Sequence, residues 1–202
     1  MPHDYSPKTK RFVGVSRLAV RGEINKLSDH VAEEAARLAK SYKNGSLTLL
    51  EFETEMRSLL KSAHIIAASV GKGGRDRMLQ SDWGRVGAKI KWQNGYLSKF
   101  ARKIERGTVS DIATVSRARS YASSIYISFA NTFQESQTEF VAEGKNPAMV
   151  RLITNSAEGC QECADDEAEG WMSVDDMKEL GSRLCGDFCK CDLEFSDENS
   201  TD

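Results

Sequence analysis

All five cysteines of this 202-residue chain fall in one segment, CQECADDEAEGWMSVDDMKELGSRLCGDFCKC, residues 160–191. Their order is C-x2-C, a gap of 21 residues, then C-x3-C-x-C. Two short cysteine knuckles separated in this way are the usual sequence form of a tetrahedral zinc site, in which four thiolates hold one ion. Cys160, Cys163, Cys185, Cys189 and Cys191 are therefore candidate metal ligands, four of the five serving together, and structural zinc is the expected cofactor. In an extended segment Cys189 and Cys191 point to opposite faces, which predicts that only one of them joins the site easily. A module of about fifty residues has too little apolar area to fold alone, so a metal clamp would supply what its core lacks. Disulfides formed after release from the cell, and free structural thiols, are the two other readings of the same residues. An odd count argues against a fully paired framework.

The longest apolar run, HIIAASV at 64–70, is far short of the roughly 18 residues a membrane span needs. The start, MPHDYSPKTK, lacks the apolar stretch of a signal peptide. The expectation is a chain made in the cytoplasm, where thiols stay reduced and clusters of them serve metals more often than disulfides. No P-loop, GxSxG or HExxH occurs, and no HxE segment stands upstream of the C-x2-C pair as a zinc deaminase requires. His3, His30 and His64 read as core or surface histidines. An enzyme is not expected.

Charge divides the chain. Residues 1–107 carry 21 Lys/Arg against 11 Asp/Glu, whereas 154–202 carry 3 against 15. With only three prolines, long uninterrupted helices are favoured. Apolar side chains at Val20, Ile24, Leu27, Val31, Ala35, Leu38 and Tyr42 recur at steps of three and four, the stripe of an amphipathic helix. Thr48-Leu49-Leu50-Glu51 reads as a capping box opening a second helix whose stripe of Leu49, Phe52, Met56, Leu59, Ala63, Ile66 and Val70 runs to Gly71. A third runs from Trp83 to Ile104, and a fourth from Ile112 to about Val141, a single rod of roughly 45 Å. Tyr121, Tyr126 and Phe133 on that rod could anchor a partner or be buried in the bundle. Ser173 can cap a short helix that Gly181 ends.

The predicted organisation is mainly α: a helical domain over 1–146, with helices at about 16–43, 48–70, 82–106 and 110–142, and an acidic cysteine-rich module with short strands over 147–202.

On the third helix, Arg85, Lys89, Trp92, Tyr96, Lys99 and Lys103 line a face about 115° from the apolar stripe. Interleaved bases and aromatics suit a nucleic-acid backbone with rings as stacking platforms. They also suit a helix that buries two faces, with the bases as a solvated rim.

The tail LITNSAEGCQECADDEAEGWMSVDDMKELGSRLCGDFCKCDLEF resembles the C-terminal segment of tailed-bacteriophage head morphogenesis proteins of the Mu F type. The matching residues are Cys160, Cys163, Gly170-Trp171, Cys185 and Cys189-Lys190-Cys191, followed by Asp192-Leu193-Glu194-Phe195. The helical stretch from Gly73 to Phe129 is similar in texture to small phage structural proteins with such a tail, so the resemblance covers about 35–195. It implies a short strand before the first cysteines and another after the last. It also implies a virion structural protein, a minor head or portal-vertex component in head assembly, multimeric and in contact with portal, capsid or neck subunits, with non-specific DNA contact and no membrane. The alternative is a cytosolic nucleic-acid-binding regulator that uses the basic face of 82–106.

Overall fold

A computed structural model describes residues 4–6, 8, 11–142, 149–154, 160–186, 189 and 191–196. Two short strands, β1 (Tyr5–Ser6) and β2 (Arg11–Phe12), form an antiparallel ribbon ahead of the helices. Helix α1 (Arg17–Lys43) starts where the Ser16 side chain accepts from the Ala19 N–H at 3.1 Å, and it stops at Asn44 and Gly45, whose φ of 78° suits a residue without Cβ. Helix α2 (Leu49–Gly71) carries the capping box read from sequence: Thr48 and Glu51 each bond the other's backbone N–H. Helix α3 spans Gln80–Glu105.

The fourth predicted helix is not one rod. Helix α4 (Asp111–Ser120) ends in a 3-10 turn at Tyr121–Ser124, and α5 (Ile125–Ala142) follows. The hydroxyls of Ser120, Ser123 and Ser124 donate to the carbonyls of Arg117, Ser120 and Tyr121 at 2.8, 2.8 and 3.1 Å. Such short-range bonds compete with the α-helical ladder and tighten the turn. Tyr126 and Phe133 are buried, so they do not form an exposed docking surface.

Helix α2 packs most extensively on α5. A Cβ at Gly71 would collide with the Phe129 carbonyl oxygen and lie 3.1 Å from the Phe133 nitrogen, so glycine is what lets these backbones approach. Phe52, Met56, Leu60, Leu97, Phe100, Ile125 and Phe129 fill the space between helices. Each such buried side chain contributes roughly 2–3 kcal/mol.

The C-terminal segment adds a second antiparallel pair, β3 (Val150–Ile153) and β4 (Asp192–Phe195), in the register Val150 to Phe195 and Ile153 to Asp192. These are the two strands the resemblance implies. Between them lies helix α6 (Gln161–Glu169), which sequence periodicity left unmarked. The helix expected after Ser173 is instead a series of turns. Its backbone finds partners on α5: Asn131 both accepts from and donates to Leu180, at 2.9 and 3.0 Å, and Gln134 donates to the Met177 carbonyl at 2.6 Å.

Helices and cysteine-rich segment share one core. Val150, Leu152, Val174, Met177, Leu180, Leu193 and Phe195 belong to the same buried cluster as Phe129 and Phe133. The Phe133 and Phe195 rings meet edge to face at 5.2 Å.

Candidate metal centre

Cys160 is the N-cap of α6, so its chain is extended while Cys163 sits in the first turn, with the Cys163 N–H on the Cys160 carbonyl at 3.0 Å. This turn brings their sulfurs to 3.2 Å. The second knuckle folds back through a bond from Gly186 N–H to the Arg183 carbonyl at 2.8 Å, continued by Cys189 N–H to Gly186 at 3.1 Å. Two contacts hold the knuckles together. Leu184 N–H donates to Glu162 at 2.8 Å on the surface, and the buried Arg183 guanidinium binds the buried Asp166 of α6. Cys185 thereby comes within 3.7 Å of Cys163.

The sulfurs of Cys160, Cys163 and Cys185 lie within 4.8 Å of one another, and so do those of Cys163, Cys189 and Cys191. Cys163 belongs to both groups and is fully buried. Cys189 and Cys191 are therefore not directed to opposite faces, as the extended reading predicted. The β4 ladder begins only at Asp192, and Cys189 still belongs to the turn that starts at Arg183.

All five cysteines are free, and 3.2 Å is well beyond the disulfide bond length of about 2.05 Å. A zinc ion with four thiolates at about 2.3 Å has sulfur–sulfur edges of about 3.8 Å. The 3.7 Å separation of Cys163 and Cys185 matches such an edge, and the donor set is uniformly soft thiol, so the residues present fit a thiophilic ion. Burial pushes the Cys163 and Cys185 thiols above their ordinary range and Cys191 up to about 12. At Cys160 burial also acts upward, but hydrogen bonds involving Cys163 and Cys185 outweigh it and hold the group below its ordinary value. A cation reverses the balance for the buried thiols by stabilising their thiolates.

Lys190 of the quoted motif and His3 lie outside the described residues. His30 is exposed. His64 is buried between α2, α3 and α5, with Nδ1 at 2.7 Å from the Ser128 hydroxyl and Nε2 at 2.8 Å from Gln93.

The basic face of α3 is divided. Arg85 is bound by Glu135 at 2.6 Å and approaches Glu179 of the acidic segment at 3.8 Å. Lys89 is half-buried with its ammonium 5.3 Å from the Trp92 ring centre, and burial holds it below its usual range against the opposing pull of Glu179 and Cys189. Trp92 and Tyr96 are 47% and 41% exposed, so each leaves nearly half of its surface to solvent. Lys99, 5.2 Å from the Tyr96 ring, and Lys103 are exposed. Residue patterning along α3 missed Arg117, exposed on α4 beside this face, and the buried Arg183–Asp166 pair behind the cysteines. Arg183, one of three bases in the acidic segment and two residues before Cys185, was the available signal for the latter.

Comparison with family models, with curated proteins and with solved structures finds no match for this chain. No helix among the described residues is long and apolar enough to cross a membrane.

Proposed function

We propose that this chain is a structural component of a tailed-bacteriophage virion, acting at the head or portal vertex, with a zinc ion clamping the two cysteine knuckles of its C-terminal segment together. The observation that carries the clamp is the convergence of all five thiols about buried Cys163, in two groups of three that share it, with the Cys163–Cys185 separation of 3.7 Å close to the edge of a tetrahedral thiolate site. Four of the five would hold zinc, which supplies a rigid cross-link and no chemistry. The virion assignment is supported by the resemblance of Cys160, Cys163, Gly170-Trp171, Cys185 and the final Cys189-to-Phe195 run to the Mu F type tail. In this reading the protein works as a multimer beside portal, capsid or neck subunits.

Mass spectrometry of density-purified particles tests the assignment. The chain should co-purify with the portal and capsid proteins at a fixed ratio. Recovery only in the particle-free fraction of the lysate contradicts it.

A further inference from the structure

Two concave surfaces flank the exposed rings of Trp92 and Tyr96. One, a cleft of about 340 Å³, is bounded by both rings, Arg117, Ser124 and the Cys185-Gly186 corner of the cysteine segment. The other, shallower and about 370 Å³, runs along α3 past Lys91, Gly95 and Lys99. Among the described residues both are lined by cations, aromatics and small polar groups, with Leu184 at the edge of the first and no acidic side chain in either. In a chain with 30 Asp and Glu this is selective. A third cleft, about 450 Å³ on the far side of Trp92, shows the contrast: its Arg85 and Lys89 face Asp82, Glu135 and Glu179. Its charge is compensated internally.

We infer that the Trp92–Tyr96 face binds single-stranded nucleic acid, with bases stacking on the two rings and phosphates held by Lys91, Lys99 and Arg117. The rings meet edge to face at 4.4 Å, one helical turn apart, and each is nearly half exposed, which leaves aromatic surface in two different planes for bases. Lys99 sits 5.2 Å from the centre of the Tyr96 ring, close enough to meet the phosphate of a nucleotide stacked there. A duplex offers phosphates but no free base face, and would leave the aromatics unused. A protein interface is depleted of charge at its core, whereas here cations flank the rings on both sides. A glycine at 95 with open space beside it removes any obstacle to a strand lying along α3. The proposed contacts come from α3 and α4, and the inference does not depend on the virion assignment.

Fluorescence anisotropy with a labelled oligothymidylate of about 15 nucleotides, a length within the range one such site covers, tests this, with a duplex of equal length as comparison. The oligothymidylate should bind more tightly than the duplex. Trp92→Ala should weaken binding roughly 5- to 100-fold. Lys91→Ala and Lys99→Ala should each lower the slope of log K against log salt by about 0.7. All three residues are solvent-facing, so unchanged thermal melts would show that the variants fold. No binding at low salt overturns the inference. Equal binding of duplex with no effect of Trp92→Ala overturns it in favour of a plain electrostatic patch. Self-association of the free protein that Trp92→Ala abolishes, with no oligothymidylate bound, overturns it in favour of a contact between copies.

Discussion

Asp192 and Arg17, 175 positions apart in sequence, form a buried ion pair with Asp192 Oδ1 3.3 Å from Arg17 Nη1. Arg17 also donates to the Leu193 carbonyl, while Arg21 and the Tyr126 hydroxyl complete the shell around the Asp192 carboxylate. Burial and the Asp192 charge push the Tyr126 hydroxyl up, so it stays a proton donor. The first residue of β4 is thus fastened to the first residue of α1 and to the start of α5. Removing Asp192 as Asp192→Ala leaves Arg17 buried without its counter-ion and should cost about 3–5 kcal/mol by urea unfolding. The double variant Arg17→Met with Asp192→Ala should lose clearly less than the sum of the two single variants, because neither partner is then left uncompensated.

His64 predicts a pH dependence. Burial, the largest influence, pushes it down to about 4 against the opposing bond from Gln93, while an unfolded histidine titrates near 6.5. Between these values the unfolded chain binds a proton that the folded chain does not, so stability is full above about pH 6.5 and falls as pH drops toward 4. The loss is on the order of 3 kcal/mol. In a His64→Gln variant, the change in unfolding free energy from pH 7 to pH 4.5 should be smaller than in the unaltered chain by about 2 kcal/mol. Equal changes in the two proteins would show that His64 is not buried in its neutral form.

Two glycine substitutions should act in opposite directions. Gly71→Ala places a methyl against the Phe129 carbonyl and should cost about 1–3 kcal/mol through displacement of α2 from α5. At Gly84 on α3 a Cβ meets nothing within 4 Å, and Gly84→Ala should stabilise by up to about 1 kcal/mol because alanine is the better helix former. Thermal melts of the two variants check both signs.

The first three helices were legible because their apolar spacing and caps act locally: Ser16, the Thr48–Glu51 box and Gly45 fix ends without help from distant residues. The break at Tyr121–Ser124 was less so, since serine hydroxyls there override an apolar stripe that continues through it. The turns at 173–180 could not be read locally at all, because Asn131 and Gln134, over forty residues earlier, satisfy their backbone. At the cysteines, spacing named the five candidate ligands but not their convergence. That depends on where β4 begins and on the Arg183–Asp166 pair. On α3 the pattern placed bases and rings on one face, yet acids of other elements largely decide which bases are compensated: Arg85 meets Glu135 and Glu179, while Lys91 and Lys99 line a surface with no acid among the described residues.

The measurement closest to the central claim is native mass spectrometry of the reduced protein and its single Cys→Ser variants, with zinc counted per chain. The unaltered chain should carry one zinc. Cys163→Ser should carry none, because Cys163 belongs to both thiol groups. Cys189→Ser and Cys191→Ser should each retain zinc with weakened affinity, since either of these buried thiols lies close enough to Cys163 to serve as fourth ligand. Affinity should rise with pH for all zinc-binding forms, because ligation releases thiol protons. A folded chain that binds no zinc while five thiols remain free, or one whose zinc survives Cys163→Ser, would contradict the account.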